Sequence, residues 1–395
     1  MTHSAMRSPE HLMLPGPTPF PESVRSVMST PAIGHRSAEF KTVLQRVLPR
    51  LRWLFQTQHD VFLLTASGTA AMEAGMINTL NAGDEILVMV CGVFSERWAE
   101  MAELLGVKVT RITVSPGEAN TAASLKEALS KKNDYKAVVF THSETSTGVL
   151  NPLEALCKTV RELATPDTLI FVDGVTSVGA TSVPVDAWDI DVAISGSQKS
   201  FMISPGLSFL SVSPRAWRAF EQCERPGLYF NFNKYKKAQD ADTTPYTPAT
   251  HLILALDESL AMMESEGLDG IFERHLKLRN MMREGIKALG LPLLVNDDTV
   301  ASTAVTSVRP PEGVTVADIR ARLKEQFGLI VADGQKELKG KIFRIGHLGY
   351  QFERDIFTTL NALECVLNQL GHPIVPGKAI IEAQRASAFQ AGIVS

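Results

Sequence analysis

Thr168-Leu169-Ile170-Phe171-Val172-Asp173-Gly174 is an apolar run that stops on a carboxylate, and Val192-Ala193-Ile194 runs in the same way into Ser195-Gly196-Ser197-Gln198-Lys199. Unbroken apolar runs of this kind read as strands buried on both faces, the habit of parallel sheets. Working outward, Val61 to Leu64, Ile86 to Val90, Val107 to Ile112, Ala137 to Phe140 and Gly206 to Val212 repeat the pattern. Helical stretches over 69–80, 94–105 and 152–163 lie between them, with Asn81-Ala82-Gly83-Asp84 as a turn. Strands alternating with helices make βαβ units, hence an α/β fold with a mostly parallel sheet. Ligands of such sheets sit beyond the carboxyl ends of the strands. Those ends carry Ser67-Gly68-Thr69, Thr141-His142-Ser143-Glu144-Thr145, Asp173, and Ser195 to Lys199.

The flanks differ in texture. Pro9, Pro15, Pro17, Pro19, Pro21 and Pro31 crowd the N-terminus, which predicts an extended arm without a regular backbone ladder. Past the central region, helices are expected over 251–266 and 270–289. A smaller α+β unit follows, with strands over 304–308 and 342–345 and helices over 316–327 and 353–370. The division expected is an arm over 1–35, a large domain over 36–290 and a small domain over 291–395.

Of the 395 residues 45% are hydrophobic and 21% charged, enough apolar material for a sizeable core. The net charge of −4 argues against a dedicated nucleic-acid binder. Cys91, Cys157, Cys223 and Cys365 are widely spaced, with no CxxC and no Cys/His cluster, so neither a disulfide scaffold nor a metal site is expected. Met1–Pro9 is polar, no apolar run is long enough to span a membrane, and the C-terminal Gly-Ile-Val-Ser matches no lipidation or peroxisomal signal. The expectation is a cytoplasmic protein without membrane contact.

Three strand ends carry candidate chemistry. At Ser67-Gly68-Thr69 a strand turns into a helix, whose first amides and positive dipole end suit a phosphate; the same residues also suit a simple helix cap. No Walker A or GxGxxG sequence occurs, which disfavours nucleotide modes. Asp173 ends a buried strand, where a carboxylate is costly without a cationic partner, although a turn or cap role is also open. Lys199 follows an apolar strand, and a lysine in such surroundings can act as an amine nucleophile. Together, a phosphate cradle, a strand-end carboxylate and a semi-buried lysine are what pyridoxal phosphate needs: an attachment point, a partner that keeps its ring nitrogen protonated, and a seat for its phosphate.

Read as a set, Pro15 to Pro19, Thr65 to Glu73, Thr141 to Pro152, Phe171 to Gly179, Ser195 to Lys199 with Pro205-Gly206, Thr243 to Pro248 and Phe343 to Gly349 resemble the class V aminotransferases of the fold-type I pyridoxal-phosphate enzymes. The similarity is greatest to the alanine–glyoxylate and serine–glyoxylate (serine–pyruvate) group. It implies a large domain with a mostly parallel seven-stranded sheet, a small C-terminal domain, and transamination between alanine or serine and a keto acid such as glyoxylate or pyruvate. By the same resemblance, Lys199 is the Schiff-base lysine and Asp173 pairs with the ring nitrogen. Ser67, Gly68, Thr69 and Gln198 hold the phosphate, Thr145 bonds the ring hydroxyl, Phe94 stacks on the ring and Val175 packs beneath it. Thr244 and Thr247 reach the phosphate of a neighbouring subunit, implying a homodimer with shared sites. Arg344 clamps the substrate carboxylate, and Gly16 offers backbone to it.

Two departures stand out. Phe94 occupies a stacking position that is tryptophan in the best-known relatives, and Thr69 replaces a histidine of some. The resemblance also leaves room for a desulfurase-like lyase, which needs a mobile cysteine; Cys365 lies in an amphipathic helical stretch. An NAD-dependent oxidoreductase lacks its glycine fingerprint, and a non-catalytic relative is disfavoured by Lys199, Asp173 and Arg344 occurring together. Some bacterial relatives carry a soluble-hydrogenase label, but no cysteine cluster here suits nickel or an iron–sulfur centre.

Overall fold

The computed structural model describes residues 10–390; Met1–Pro9 and the C-terminal 391–395 lie outside the described residues. Seven strands form the large sheet in the order Asp60–Leu64, Ser208–Val212, Val192–Gly196, Leu169–Asp173, Ala137–Thr141, Glu85–Val90 and Lys108–Thr113. Ser208–Val212 runs antiparallel to both neighbours, and the remaining pairs are parallel. The three central strands, Ala137–Thr141, Leu169–Asp173 and Val192–Gly196, are buried along their whole length. Alternate residues serve opposite faces: Val138, Phe140, Ile170 and Val172 join one core, Val139, Phe171, Val192 and Ile194 the other. Each such side chain contributes about 1.5–3 kcal/mol on burial, which pins the strand register and with it the residues at the strand ends.

Helices Gly68–Ile77, Val93–Leu104 and Leu153–Leu163 connect the strands as expected. A further helix, Ala122–Lys131, was not anticipated; it buries only Leu125 and Leu129, and Thr121 caps it through the Ser124 amide at 3.1 Å. So thin an apolar stripe leaves little periodic signal.

A second, four-stranded sheet has the order His11–Met13, Leu329–Asp333, Phe343–Gly346, Val305–Val308. The proline-rich arm, against the expectation of no ladder, does pair: His11–Met13 runs parallel to Leu329–Val331. The stretch between Pro9 and Pro15 holds no proline, so its amides remain free to pair. Prolines 15, 17, 19 and 21 then keep the next segment extended until helix Glu22–Met28 begins. Helix Leu268–Ala288 links the two cores, with Ile271 in one and Leu278, Met281, Met282 and Ile286 in that of the smaller sheet. Among the described residues no helix is long and apolar enough to cross a membrane.

Candidate active site

Ser67, Gly68, Thr69, Phe94, Thr145, Asp173, Val175, Gln198 and Lys199 line a single pocket at the carboxyl ends of the parallel strands, joined by Met72, Arg97, Ser143 and Thr176. Ser67 holds the N-cap position of helix Gly68–Ile77, yet its side chain makes no capping bond. The hydroxyl and the amides of Gly68 and Thr69, which have no intrahelical acceptor, are therefore free to hold an anion, whereas the Ala70 amide donates to the Ser67 carbonyl at 2.9 Å. A Cβ on Gly68 would come 3.0 Å from Val175 Cγ2, so the helix start rests directly against the floor of the pocket. Among the described residues the buried Gln198 Oε1 has no hydrogen-bond partner.

Asp173, the last residue of its strand, is 4% exposed and accepts the Val175 amide at 3.0 Å. Burial pushes its carboxyl up to about 6; the Val175 amide opposes this, Glu144 adds to it, and Trp98 and Lys199 pull it back down. Lys199 is 9% exposed and its Nζ donates to the Pro15 carbonyl. Burial draws its ammonium down to about 8, helped by the neighbouring Arg344 and opposed by Asp173. The arm locks this lysine in place: Thr18 Oγ1 donates to the Lys199 carbonyl at 2.9 Å and the Thr18 amide to that of Gln198 at 3.1 Å. Gly16, at φ +130°, fits between them because a Cβ there would sit 2.7 Å from Lys199 Nζ.

Phe94 opens the helix Val93–Leu104, whose N-terminus is held by a residue that sequence reading left without a role. The fully buried Glu144 carboxylate accepts from the Phe94 amide at 3.1 Å, the Ser95 amide at 2.9 Å and hydroxyl at 3.1 Å, and the Ser146 hydroxyl at 2.7 Å. A carboxylate at a helix N-terminus is favourably placed, and this one fixes where the Phe94 ring stands. Arg97, also unread from sequence, donates to Thr69 Oγ1 at 2.9 Å and lies 4.8 Å from the Phe94 ring centroid. The one sequence signal for Glu144 was its position between a strand end and the Thr145-Ser146-Thr147 turn.

Arg344 comes from the smaller sheet, paired with Ser307 and Ala332 in register. It is 6% exposed, and its guanidinium donates to two carbonyls, Asp333 at 2.8 Å and Thr145 at 2.9 Å. Burial lowers its pKa to about 10. The Asp333 carboxylate lies 3.5 Å from Arg320 instead, and among the described residues no carboxylate reaches ion-pair distance of Arg344. Thr244 is buried and donates to the Tyr246 carbonyl at 2.8 Å, while Thr247 is exposed; neither lines the pocket of its own chain.

A mostly parallel sheet that gathers an uncapped helix start, a buried carboxylate and a buried lysine at its strand ends defines a fold-type I pyridoxal-phosphate enzyme. The chain belongs to the class V aminotransferases: the family model "Aminotransferase class-V" matches residues 22–344. The cofactor of this enzyme is pyridoxal 5'-phosphate, and the residues fit it: free donors at Ser67 to Thr69, a Gln198 side chain with an amide NH2 to donate, a carboxylate at Asp173 and an amine at Lys199. The chain is 46% identical to a protein of Synechococcus sp. (strain PCC 6716) named soluble hydrogenase, small subunit, over 96% of this chain and 99% of that one. It is 34% identical to the serine–glyoxylate aminotransferase of Methylorubrum extorquens, over 96% and 97%. The crystal structure of ureidoglycine–glyoxylate aminotransferase from Bacillus subtilis superposes with a TM-score of 0.90 at 31% identity, covering 97% of this chain and 99% of that one. In this chain all four cysteines are free thiols, and among the described residues no group of three or more His, Cys, Asp or Glu could hold a metal ion.

Proposed function

We propose that the enzyme moves the amino group of a small amino acid, alanine or serine, to a keto acid, with glyoxylate or pyruvate as acceptor. The observation that carries this is Arg344: a buried guanidinium with carbonyl partners and, among the described residues, no carboxylate in ion-pair reach, close enough to influence the Lys199 charge, is ready for the α-carboxylate of an amino acid, which its fork can bind bidentately. Glyoxylate is favoured as acceptor because it figures in the names of both aminotransferase relatives above.

When bound, the cofactor supplies a carbonyl for attachment to Lys199 and an electron sink for charge developing at the substrate α-carbon. The chain supplies the rest. Lys199, with its pKa drawn to about 8, is about half in its neutral form at pH 8 and takes the α-proton; a positioned amine contributes roughly 10²–10⁴-fold. Asp173 would hold a proton at the ring nitrogen, Phe94 and Val175 would bracket the ring, and Thr145 would bond its hydroxyl. Ser67, Gly68, Thr69 and Gln198 would seat the phosphate. The arm, through Pro15 and Gly16, closes over Lys199 and keeps water away, and Gly16 offers backbone to the substrate carboxylate. Thr244 and Thr247 complete the phosphate seat of a partner copy in a cytoplasmic homodimer, and the small domain over 291–395 carries Arg344 to the large domain over 36–290.

A panel of half-reactions tests the reading. Alanine or serine should bleach the visible band of the bound cofactor, and glyoxylate should restore it. A panel in which no amino acid changes the band would overturn the reading.

A further inference from the structure

The phosphate seat as described is built from neutral donors, whereas a phosphate monoester carries about −1.5 to −2 charges at neutral pH. The helix start offers only about half a positive charge. Of the residues that line the pocket, Lys199 and Arg97 are basic, and Lys199 is committed to the reacting carbonyl. Arg97 remains. It is half-buried and makes no ion pair among the described residues. The acids nearest on its own helix are engaged elsewhere, Glu96 with Arg111 at 3.0 Å and Glu100 with Lys336 at 3.0 Å. The Arg97 guanidinium is held over the Phe94 ring and donates to Thr69 Oγ1 at 2.9 Å. A threonine oxygen that accepts from a guanidinium keeps its own proton free to donate, so the Thr69 hydroxyl is polarised toward the cradle.

We propose that Arg97 is the counter-cation of the cofactor phosphate within its own subunit, acting across Thr69 at the start of helix Gly68–Ile77. The inference rests on the pyridoxal-phosphate reading of this pocket. It accounts for Thr69 standing where some relatives place histidine: the positive charge is delivered through the hydroxyl by a residue 28 positions away.

The test compares two probes on the cofactor-stripped full-length protein, pyridoxal phosphate and pyridoxal, by titrating the visible band of each. Arg97→Met is expected to weaken pyridoxal phosphate about 30-fold or more, the scale of losing one partner of a partly buried charge pair, and pyridoxal by less than about threefold. Arg97→Lys should recover most of the loss, and Thr69→Val should add little to Arg97→Met. Equal weakening of both probes would reduce Arg97 to packing against Phe94, and unchanged affinity for pyridoxal phosphate would remove it from the seat; either result overturns the proposal. If Arg97→Met does not fold, Arg97→Gln, which can keep the bond to Thr69 and loses the charge, decides the same ratio. Wild-type protein that forms no band with either probe would instead sink the cofactor reading itself.

Discussion

The Glu144 carboxylate holds the Phe94 amide at 3.1 Å, across 50 residues of sequence. That bond ties Phe94, the proposed ring-stacking residue, to the strand end that also carries Thr145. Charge-assisted hydrogen bonds contribute about 1.5–3 kcal/mol each, and Glu144→Ala removes several while leaving buried donors unpaired. The variant is expected to lose about 3 kcal/mol of stability and to bind the cofactor more weakly, with altered visible dichroism as Phe94 shifts. Glu144→Ala with wild-type stability and an unchanged cofactor spectrum would mean that Phe94 is positioned by packing alone.

Lys199 has two testable features. Borohydride reduction of the holoenzyme should fix the cofactor to Lys199, and peptide mapping that finds another lysine would overturn the assignment. Its lowered pKa also sets a pH profile. The rate at which pyridoxal phosphate attaches to the stripped protein should rise with pH and level off above about 8. Arg344 is one of the causes of that lowering, so Arg344→Ala should move the midpoint upward. A midpoint that stays in place in the variant would show that burial alone sets it.

For Asp173 the sign of the pH effect can be worked through. Its folded pKa of about 6 lies above the unfolded value of about 3.9. Its contribution to the stability of the cofactor-free fold is therefore complete below about pH 4 and lost as pH rises through about 6. Asp173→Asn removes that dependence, so the cofactor-free variant should exceed wild type by about 2–3 kcal/mol at pH 8 and match it near pH 4. The same substitution should severely slow α-proton removal in the holoenzyme, because a neutral amide cannot keep the ring nitrogen protonated. Urea titrations at the two pH values check the first effect and stopped-flow half-reactions the second. Near-normal half-reaction rates would make Asp173 a structural residue only.

The proposed sharing of sites between two copies can be tested by complementation. Lys199→Ala and a double variant disabled at Thr244 and Thr247 should each be inactive, and exchanging subunits should restore part of the activity through one composite site. Confirmed exchange without recovery would place both threonines outside the partner's pocket.

The sequence was most readable where one strand carried its own signal. Leu169–Asp173 and Val192–Gly196 are apolar throughout and end on polar residues, so Asp173 and Lys199 were legible together with the sheet. The arm's strand was not, since His11 pairs with Leu329 and nothing local marks either as a ladder partner. Leu329–Asp333 is short and follows directly on a helix C-cap at Gly328, so it escaped for the same reason. Arg97 and Glu144 were missed although both lie in stretches that were read, because their roles come from contacts 28 and 50 residues away. The Ser67 cap was a fair local reading, and only the tertiary pocket explains why its hydroxyl is left free.

The most direct test of the central claim, an amino-acid substrate held by its carboxylate at Arg344, is a single-turnover comparison of wild type and Arg344→Ala with alanine, serine and a simple amine that lacks a carboxylate. Removing one side of a partly buried charge pair costs about 2–5 kcal/mol, which is roughly 30- to several-thousand-fold in kcat/KM. That loss is expected for alanine and serine, a much smaller one for the amine, with the cofactor band retained. An equal loss for both kinds of substrate, with the cofactor still bound, would contradict the claim and leave Arg344 a part of the scaffold.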